Sequence, residues 1–250
     1  MSEPIVSASS AIAALASDDN QVRYYAAWWL GKHQAQEGVA ALCEALQDEA
    51  YRTEQGGYPL RRQAARALGM LKSPQAVPAL LAALACEDLR LREAVIQALA
   101  EIGDRRAVEP LLALLDSPQA QPWEALIEAL GTLRVDRAKP QVEVLLQHES
   151  ERVQCAAARY LYLLTQEMPY LERIVRFLEH ENMYLRWAAA FDLGAIGHER
   201  AARAIANARI GNSIKLLNLK RILEALLESS YPPESAEILM QTIDGLLIEL

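Results

Sequence analysis

Apolar and polar positions recur along this chain in ten-residue blocks. Val22-Arg23-Tyr24-Tyr25-Ala26-Ala27-Trp28-Trp29-Leu30-Gly31 is echoed by Leu60-Arg61-Arg62-Gln63-Ala64-Ala65-Arg66-Ala67-Leu68-Gly69, and later copies keep a leucine in the ninth place. These marker leucines are Leu30, Leu68, Leu99, Leu130, Leu161, Leu193 and Leu226, spaced by 31 to 33 residues after a first interval of 38. Positions five, six and nine of the block are apolar (Ala26, Ala27, Leu30; Val95, Ile96, Leu99; Leu126, Ile127, Leu130), which is helical spacing for one buried face. The period is too long for one helix and fits a helical hairpin. The pattern therefore predicts an all-α array, an α-α superhelix of about six to seven hairpins running over 1–250 as one solenoid, with function on an extended surface.

Each unit reads as a first helix, a polar turn, a second helix and a closing turn. The clearest copy predicts a first helix over 74–86 and a second over 90–102, closed by Gly103-Asp104 as a C-terminal cap. Pro78, Pro110 and Pro140 fall in the first turn of three first helices, where a missing N–H costs little. Arg23, Arg61, Arg92 and Arg186 recur at the second block position. With the Ala-Ala and Leu-Gly that follow, this pattern resembles the HEAT-like repeat. The spacing breaks once, where seven extra residues fall around Tyr51 to Pro59. Gly56, Gly57 and Pro59 forbid simple helix extension there, so 51–59 is expected to be an inserted loop. Both a recognition role and a tolerated surface insertion fit the spacing.

Composition narrows the partners. Hydrophobic residues make up 52% of the 250 and aromatics only 6%, so the apolar content is mainly Ala and Leu, which suit helix seams. A net charge of -8 argues against general binding to a phosphate backbone, so no nucleic-acid partner is expected. Cys43, Cys86 and Cys155 are an odd number without metal-type spacing, which suits a reducing compartment. Ser2-Glu3-Pro4 gives no positive leader, and the longest apolar run, Ala76 to Cys86, is far short of a membrane span. A cytoplasmic chain without a membrane span is the expectation.

The third and seventh block positions should lie outside the core on one stripe. They read Tyr24/Trp28, Arg62/Arg66, Glu93/Gln97, Glu124/Glu128, Cys155/Arg159 and Trp187/Phe191, charged in the middle and aromatic at both ends. Such a stripe suits an elongated, conjugated dianion with cationic nitrogens along its length. Exposed aromatics and arginines are typical binding anchors, and Tyr24, Trp28, Arg62 and Arg66 are read so here. Trp29 and Tyr25 are expected to pack on neighbouring helices instead.

Two other chemistries fit the residues less well. His148-Glu149, His180-Glu181 and His198-Glu199 are the kind of pair that holds two irons in HEAT-like deoxyhypusine hydroxylases. Yet His148 and His180 each stand 13 residues before their marker leucine, while His198 follows its second helix, so the three should not converge and no metal site is expected. Cys155 alone maps to the stripe, with no histidine at a neighbouring block, which is poor ground for a nucleophile.

The stretches Val22 to Lys32 and Arg52-Thr53-Glu54-Gln55-Gly56-Gly57-Tyr58-Pro59-Leu60-Arg61-Arg62 are similar to the hallmark segments of the E subunit of E/F-type phycobilin lyases, the phycocyanobilin lyase alpha-subunit family. The resemblance implies a cyanobacterial enzyme subunit that works with a homologous F subunit. Together they would attach a bilin through a thioether to a cysteine of a phycobiliprotein alpha subunit, and would also remove or transfer it. Here the bilin, expected to be phycocyanobilin, is substrate, and no cofactor is expected. Bilin-binding candidates are Tyr24, Trp28, Tyr58, Arg62 and Arg66; candidate acid/base carboxylates are Glu93, Glu124 and Glu128; partner-binding candidates are Trp187, Phe191 and Leu247. The open alternative is a non-catalytic scaffold or chaperone for phycobiliprotein maturation. The C-terminal segment Ala236 to Leu250 carries Ile238, Leu239, Ile243, Leu246 and Leu247 at helical spacing, so part of that face is expected to pack back and part to meet a partner.

Overall fold

A computed structural model describes residues 4–228 and 233–248. Among them are fifteen α-helices and no strand, and the chain divides into two compact units, Met1–Ala138 and Lys139–Leu250. The first unit holds four hairpins: α1 (Ala8–Ala14) with α2 (Asn20–Lys32), α3 (Val39–Ala45) with α4 (Pro59–Leu71), α5 (Val77–Ala83) with α6 (Leu89–Ile102), and α7 (Val108–Leu115) with α8 (Trp123–Thr132). The second pairs α9 (Lys139–Val144) with α10 (Glu151–Thr165), α11 (Met168–Arg176) with α12 (Met183–Ile196) and α13 (Glu199–Asn207) with α14 (Asn212–Glu228), then adds α15 (Pro233–Ile248). All seven marker leucines are buried, one in each second helix. Within each unit successive second helices pack side by side.

The local signals explain these boundaries. Asp19 accepts from the backbone N–H of Gln21 and Val22, and Asp88 from those of Arg90 and Leu91, so each satisfies donors that a helix start leaves unpaired. Gly103 closes α6 in the left-handed region at φ 76°. The first helices are shorter than the pattern suggests. Pro74–Ala76 forms a 3-10 turn and only Val77–Ala83 is α-helical, because the polar turn enters the helix through a tighter winding that three other hairpins share. Among the described residues no helix is long and apolar enough to cross a membrane.

The recurring arginine is a strut. Arg23 Nε donates to the Leu15 carbonyl at 3.1 Å and its guanidinium pairs with Asp48. Arg61 Nε donates to the Leu46 carbonyl at 2.8 Å, Arg92 reaches the Cys86 and Ala120 carbonyls at 2.8 and 2.9 Å, and Arg186 reaches that of His180 at 2.7 Å. The carbonyls at the end of a helix have no partner within it. A fork of donors from the following helix supplies one.

The Leu-Gly step has an equally local cause. A Cβ on Gly31 would fall 2.8 Å from the Ala67 Cα, and one on Gly69 would fall 2.9 Å from the Ala98 Cα. Ala67 and Ala98 are the eighth residues of the following blocks, so small faces small where α2 meets α4 and where α4 meets α6. Gly69→Ala should therefore push α4 and α6 apart and destabilise by about 1–3 kcal/mol. A urea midpoint equal to wild type would mean that this contact tolerates a methyl group.

Candidate functional site

In the first unit the stripe is as the periodicity places it. α2, α4, α6 and α8 pack in sequence, and their third and seventh positions all lie outside the core. Tyr24, Arg66, Glu93, Gln97 and Glu128 are exposed; Trp28, Arg62 and Glu124 are half-buried. The bilin-binding candidates of α2 and α4 thus share one surface with the carboxylates Glu93, Glu124 and Glu128 of α6 and α8. Tyr25 is a correction. It is 49% exposed, uncovered by a neighbouring helix, and stacks on Trp28 of its own helix with ring centroids 5.2 Å apart, since residues three apart share a helix face. Lys32 Nζ lies 4.5 Å from the Trp28 ring centre, a cation–π contact. Trp29 is half-buried and stacks on His33 at 4.1 Å.

The inserted loop is tied at both ends. Thr53 N–H donates to the Gly57 carbonyl at 2.8 Å and Gly57 N–H to Thr53 Oγ1 at 2.9 Å. Where the neighbouring copies carry the capping residues Asp19 and Asp88, this copy has Gly57. It borrows instead: Tyr58 N–H donates to Asp88 Oδ2 at 3.1 Å while Oδ1 of the same carboxylate caps α6. Tyr58 is itself buried, so its ring is largely covered. The Arg61 and Arg52 guanidinium carbons lie 4.6 and 5.2 Å from its centre. The Glu49 carboxylate bonded to its hydroxyl, with burial second, raises the Tyr58 pKa above the usual phenol value. Between this loop and the start of α6 opens a cleft of about 920 Å³, lined by Arg52, Tyr58, Arg62, Cys86, Asp88 and Arg90 among others. Arg62 therefore belongs to both stripe and cleft, whereas Arg52 and Arg90 lie outside the ten-residue block and carry no periodic signal.

The second unit departs from the periodic reading at Cys155. The stripe pattern places it outward; it is 2% exposed. The reason is Asp192, which stands at the eighth block position, where Ala67 and Ala98 occur in the first unit. Its buried carboxylate accepts from Arg152 Nη1 at 2.5 Å and from the Cys155 thiol at 3.3 Å, with Arg159 Nη1 at 3.4 Å. Burial first, and the Asp192 charge second, push the Cys155 thiol well above its ordinary pKa, which removes it as a nucleophile. Asp192→Ala should cost about 2–3 kcal/mol, below the full penalty for breaking a buried pair because the arginines reach solvent, and should make Cys155 react with a thiol reagent in the folded state. Wild-type stability with Cys155 still unreactive would contradict this role.

Trp187 is half-buried and meets Tyr184 edge-on at 5.6 Å, while Phe191 is exposed. In α15, Leu239 is buried against the second unit's core and Ile243 and Leu246 are half-buried. Ile238, Met240, Leu247 and Ile248 remain exposed; Leu250 lies outside the described residues. The His-Glu pairs have structural work. Nδ1 of His148, His180 and His198 accepts the backbone N–H of Ser150, Asn182 and Arg200 at 2.9 to 3.0 Å. Among the described residues no three His, Cys, Asp or Glu side chains are grouped to hold a metal.

Comparison with known proteins bears on the same elements. A family described as "HEAT repeats" matches residues 54–126, and "PBS lyase HEAT-like repeat" matches 22–48 and 185–209. The chain is 68% identical over 250 residues to "Bilin biosynthesis protein PecE" of Nostoc sp. (strain PCC 7120), covering 99% of each. It is 49% identical over 235 residues to "Phycocyanobilin lyase subunit alpha" of the same organism, covering 88% of this chain and 85% of that one. Among solved structures, the complex of CpcE and CpcF of phycocyanin lyase from Nostoc sp. PCC7120 matches with a TM-score of 0.84 and 46% identity, over 98% of this chain and 97% of the other.

Proposed function

The chain belongs to the bilin lyase alpha-subunit family, and from that premise we propose that it joins a homologous F subunit to attach a bilin to a phycobiliprotein alpha subunit. The observation that carries this reading is the end-to-end likeness to CpcE, a chain seen in complex with CpcF, together with the placement of Tyr24, Trp28, Arg62 and Arg66 on one exposed surface. The bilin is phycocyanobilin or a close relative, held as substrate. The three free thiols fit work in the cytoplasm.

The chemistry asked of the chain is modest. The acceptor's cysteine sulfur adds to the ethylidene carbon of the bilin and a proton enters the neighbouring ring carbon, so nothing leaves and nothing is oxidised. The nucleophile belongs to the acceptor, and this chain needs none. Its arginines hold the propionates by charge-assisted hydrogen bonds, its aromatics lie along the conjugated system, and Glu93, Glu124 and Glu128 are placed to bond pyrrole nitrogens and manage the proton. Fixing the extended bilin in line with the incoming thiol supplies the orientation.

Co-expression of this chain with a candidate F subunit, phycocyanobilin and an acceptor alpha subunit tests the reading, scored by covalent chromophore on a denaturing gel. Attachment should need both subunits. Equal attachment without this chain overturns the reading. The exposed Ile238, Leu247 and Ile248 of α15, with Trp187 and Phe191 on α12, support a partner face in the second unit. We expect the chain alone to self-associate and to form a one-to-one complex with the F subunit, measured by size exclusion with light scattering. A chain that stays monomeric and ignores the F subunit overturns the pairing.

A further inference from the structure

We propose that the cleft between the inserted loop and the start of α6 is the carboxylate end of the bilin site, with Arg52, Arg62 and Arg90 as the ligands of the two propionates. This rests on the lyase reading above and adds to it the residues that hold the anionic groups. The cleft's volume of about 920 Å³ lies within the range of roughly 300–1,000 Å³ that takes a drug-sized ligand. Its lining sets three arginines, Arg52, Arg62 and Arg90, against two acids, Glu87 and Asp88. Elsewhere in this unit Arg23, Arg61, Arg106 and Arg137 pair with Asp48, Glu49, Asp104 and Glu109. Arg52, Arg62 and Arg90 line one cavity, and none forms an ion pair among the described residues.

Asp88 forms an ion pair with none of them among the described residues. Its Oδ1 takes the Arg90 and Leu91 N–H groups at 2.9 and 3.3 Å, and its Oδ2 takes that of Tyr58 at 3.1 Å, so its capacity goes to holding the loop against α6. The other acid of the lining, Glu87, is exposed. Arg52 is also restrained before any ligand arrives. Its guanidinium lies over the Tyr58 ring, and that ring is buried, with the Arg61 guanidinium also against it. A donor fork held in place loses less freedom when it binds a carboxylate. Three guanidinium forks around one cavity match a molecule with two carboxylates better than a monoanion. Because Arg62 also stands on the stripe beside Arg66, a bilin anchored here by its propionates can lay its conjugated system along α2 and α4.

Cys86, half-buried in the cleft wall, is a built-in reporter. The full-length chain is titrated with biliverdin, which has both propionates but no ethylidene, and with biliverdin dimethyl ester, in which they are neutral. Alkylation of each cysteine by iodoacetamide is followed in parallel. Biliverdin should slow alkylation of Cys86 and leave Cys43 unaffected, and the dimethyl ester should do neither. Arg52→Gln and Arg90→Gln should each weaken biliverdin binding about tenfold, while Arg134→Gln, in the same unit but outside the cleft, should not. Unchanged affinity in both cleft variants, with Cys86 alkylated at the ligand-free rate although biliverdin is bound, overturns the proposal and leaves the lyase reading standing. Displacement of biliverdin by millimolar phosphate as readily as by a dicarboxylate would also overturn it, since the cleft would then be a general anion site. If neither biliverdin nor phycocyanobilin binds, with or without the F subunit, both readings fall.

Discussion

Arg62→Glu combined with Arg66→Glu is expected to lower bilin affinity and transfer by a factor on the order of 100 or more, as two charge-assisted contacts become two repulsions. Stability should move little. Arg66 is exposed and Arg62 half-buried on the outward side of α4, and neither takes part in an ion pair among the described residues, so reversing their charge breaks no buried network. The single variants separate the two roles. Arg62 lines the loop cleft and Arg66 does not, so Arg62→Glu should be the more damaging of the two. Fluorescence of covalently attached chromophore and an absorbance titration with free bilin read both effects. Wild-type affinity and transfer in both variants would take these arginines out of the site.

The contrast between Arg66 and Cys155 marks how far a periodic sequence can be read. Both stand on the third-or-seventh stripe. For Arg66 the reading holds, because the faces of one helix are set by spacing alone. For Cys155 it fails, because its surroundings are set by Asp192, 37 positions further along, and spacing within a helix carries no information about which side chain arrives from the next one. The loop shows the same division. Gly56, Gly57 and Pro59 mark an interruption and its place, but that Asp88 would reach back to Tyr58, and that Arg52 and Arg90 would line a common cleft, depends on how the loop folds against α6. The prolines of the first helices, the Gly103 cap and the marker leucines were legible because each acts through its own helix. The Leu-Gly step was visible as a pattern without its cause, which is the approach of Gly69 to Ala98 across two helices.

The largest expected loss of stability follows from those marker leucines. Leu99→Ala should destabilise the chain by about 2–4 kcal/mol, combining lost transfer energy with the cavity left behind. Leu99 has no exposure to solvent and stands in α6, which packs against α4, α5 and α8, so no single neighbour can collapse into the space without losing contacts to another helix. The site itself should survive when the variant is assayed well below its unfolding temperature. Arg62 and Arg66 lie on the opposite side of α4 from the apolar seam, and the Asp88 cap that holds the loop belongs to the first turn of α6, more than two turns from Leu99. The variant should therefore show a lowered thermal midpoint with nearly unchanged bilin affinity, the reverse of the Arg62 and Arg66 pair. Urea unfolding followed by tryptophan fluorescence, with the absorbance titration beside it, measures both. A wild-type midpoint would mean that the ninth block position is not the core of the repeat, and a lost affinity would mean that the surface and the seam are mechanically coupled.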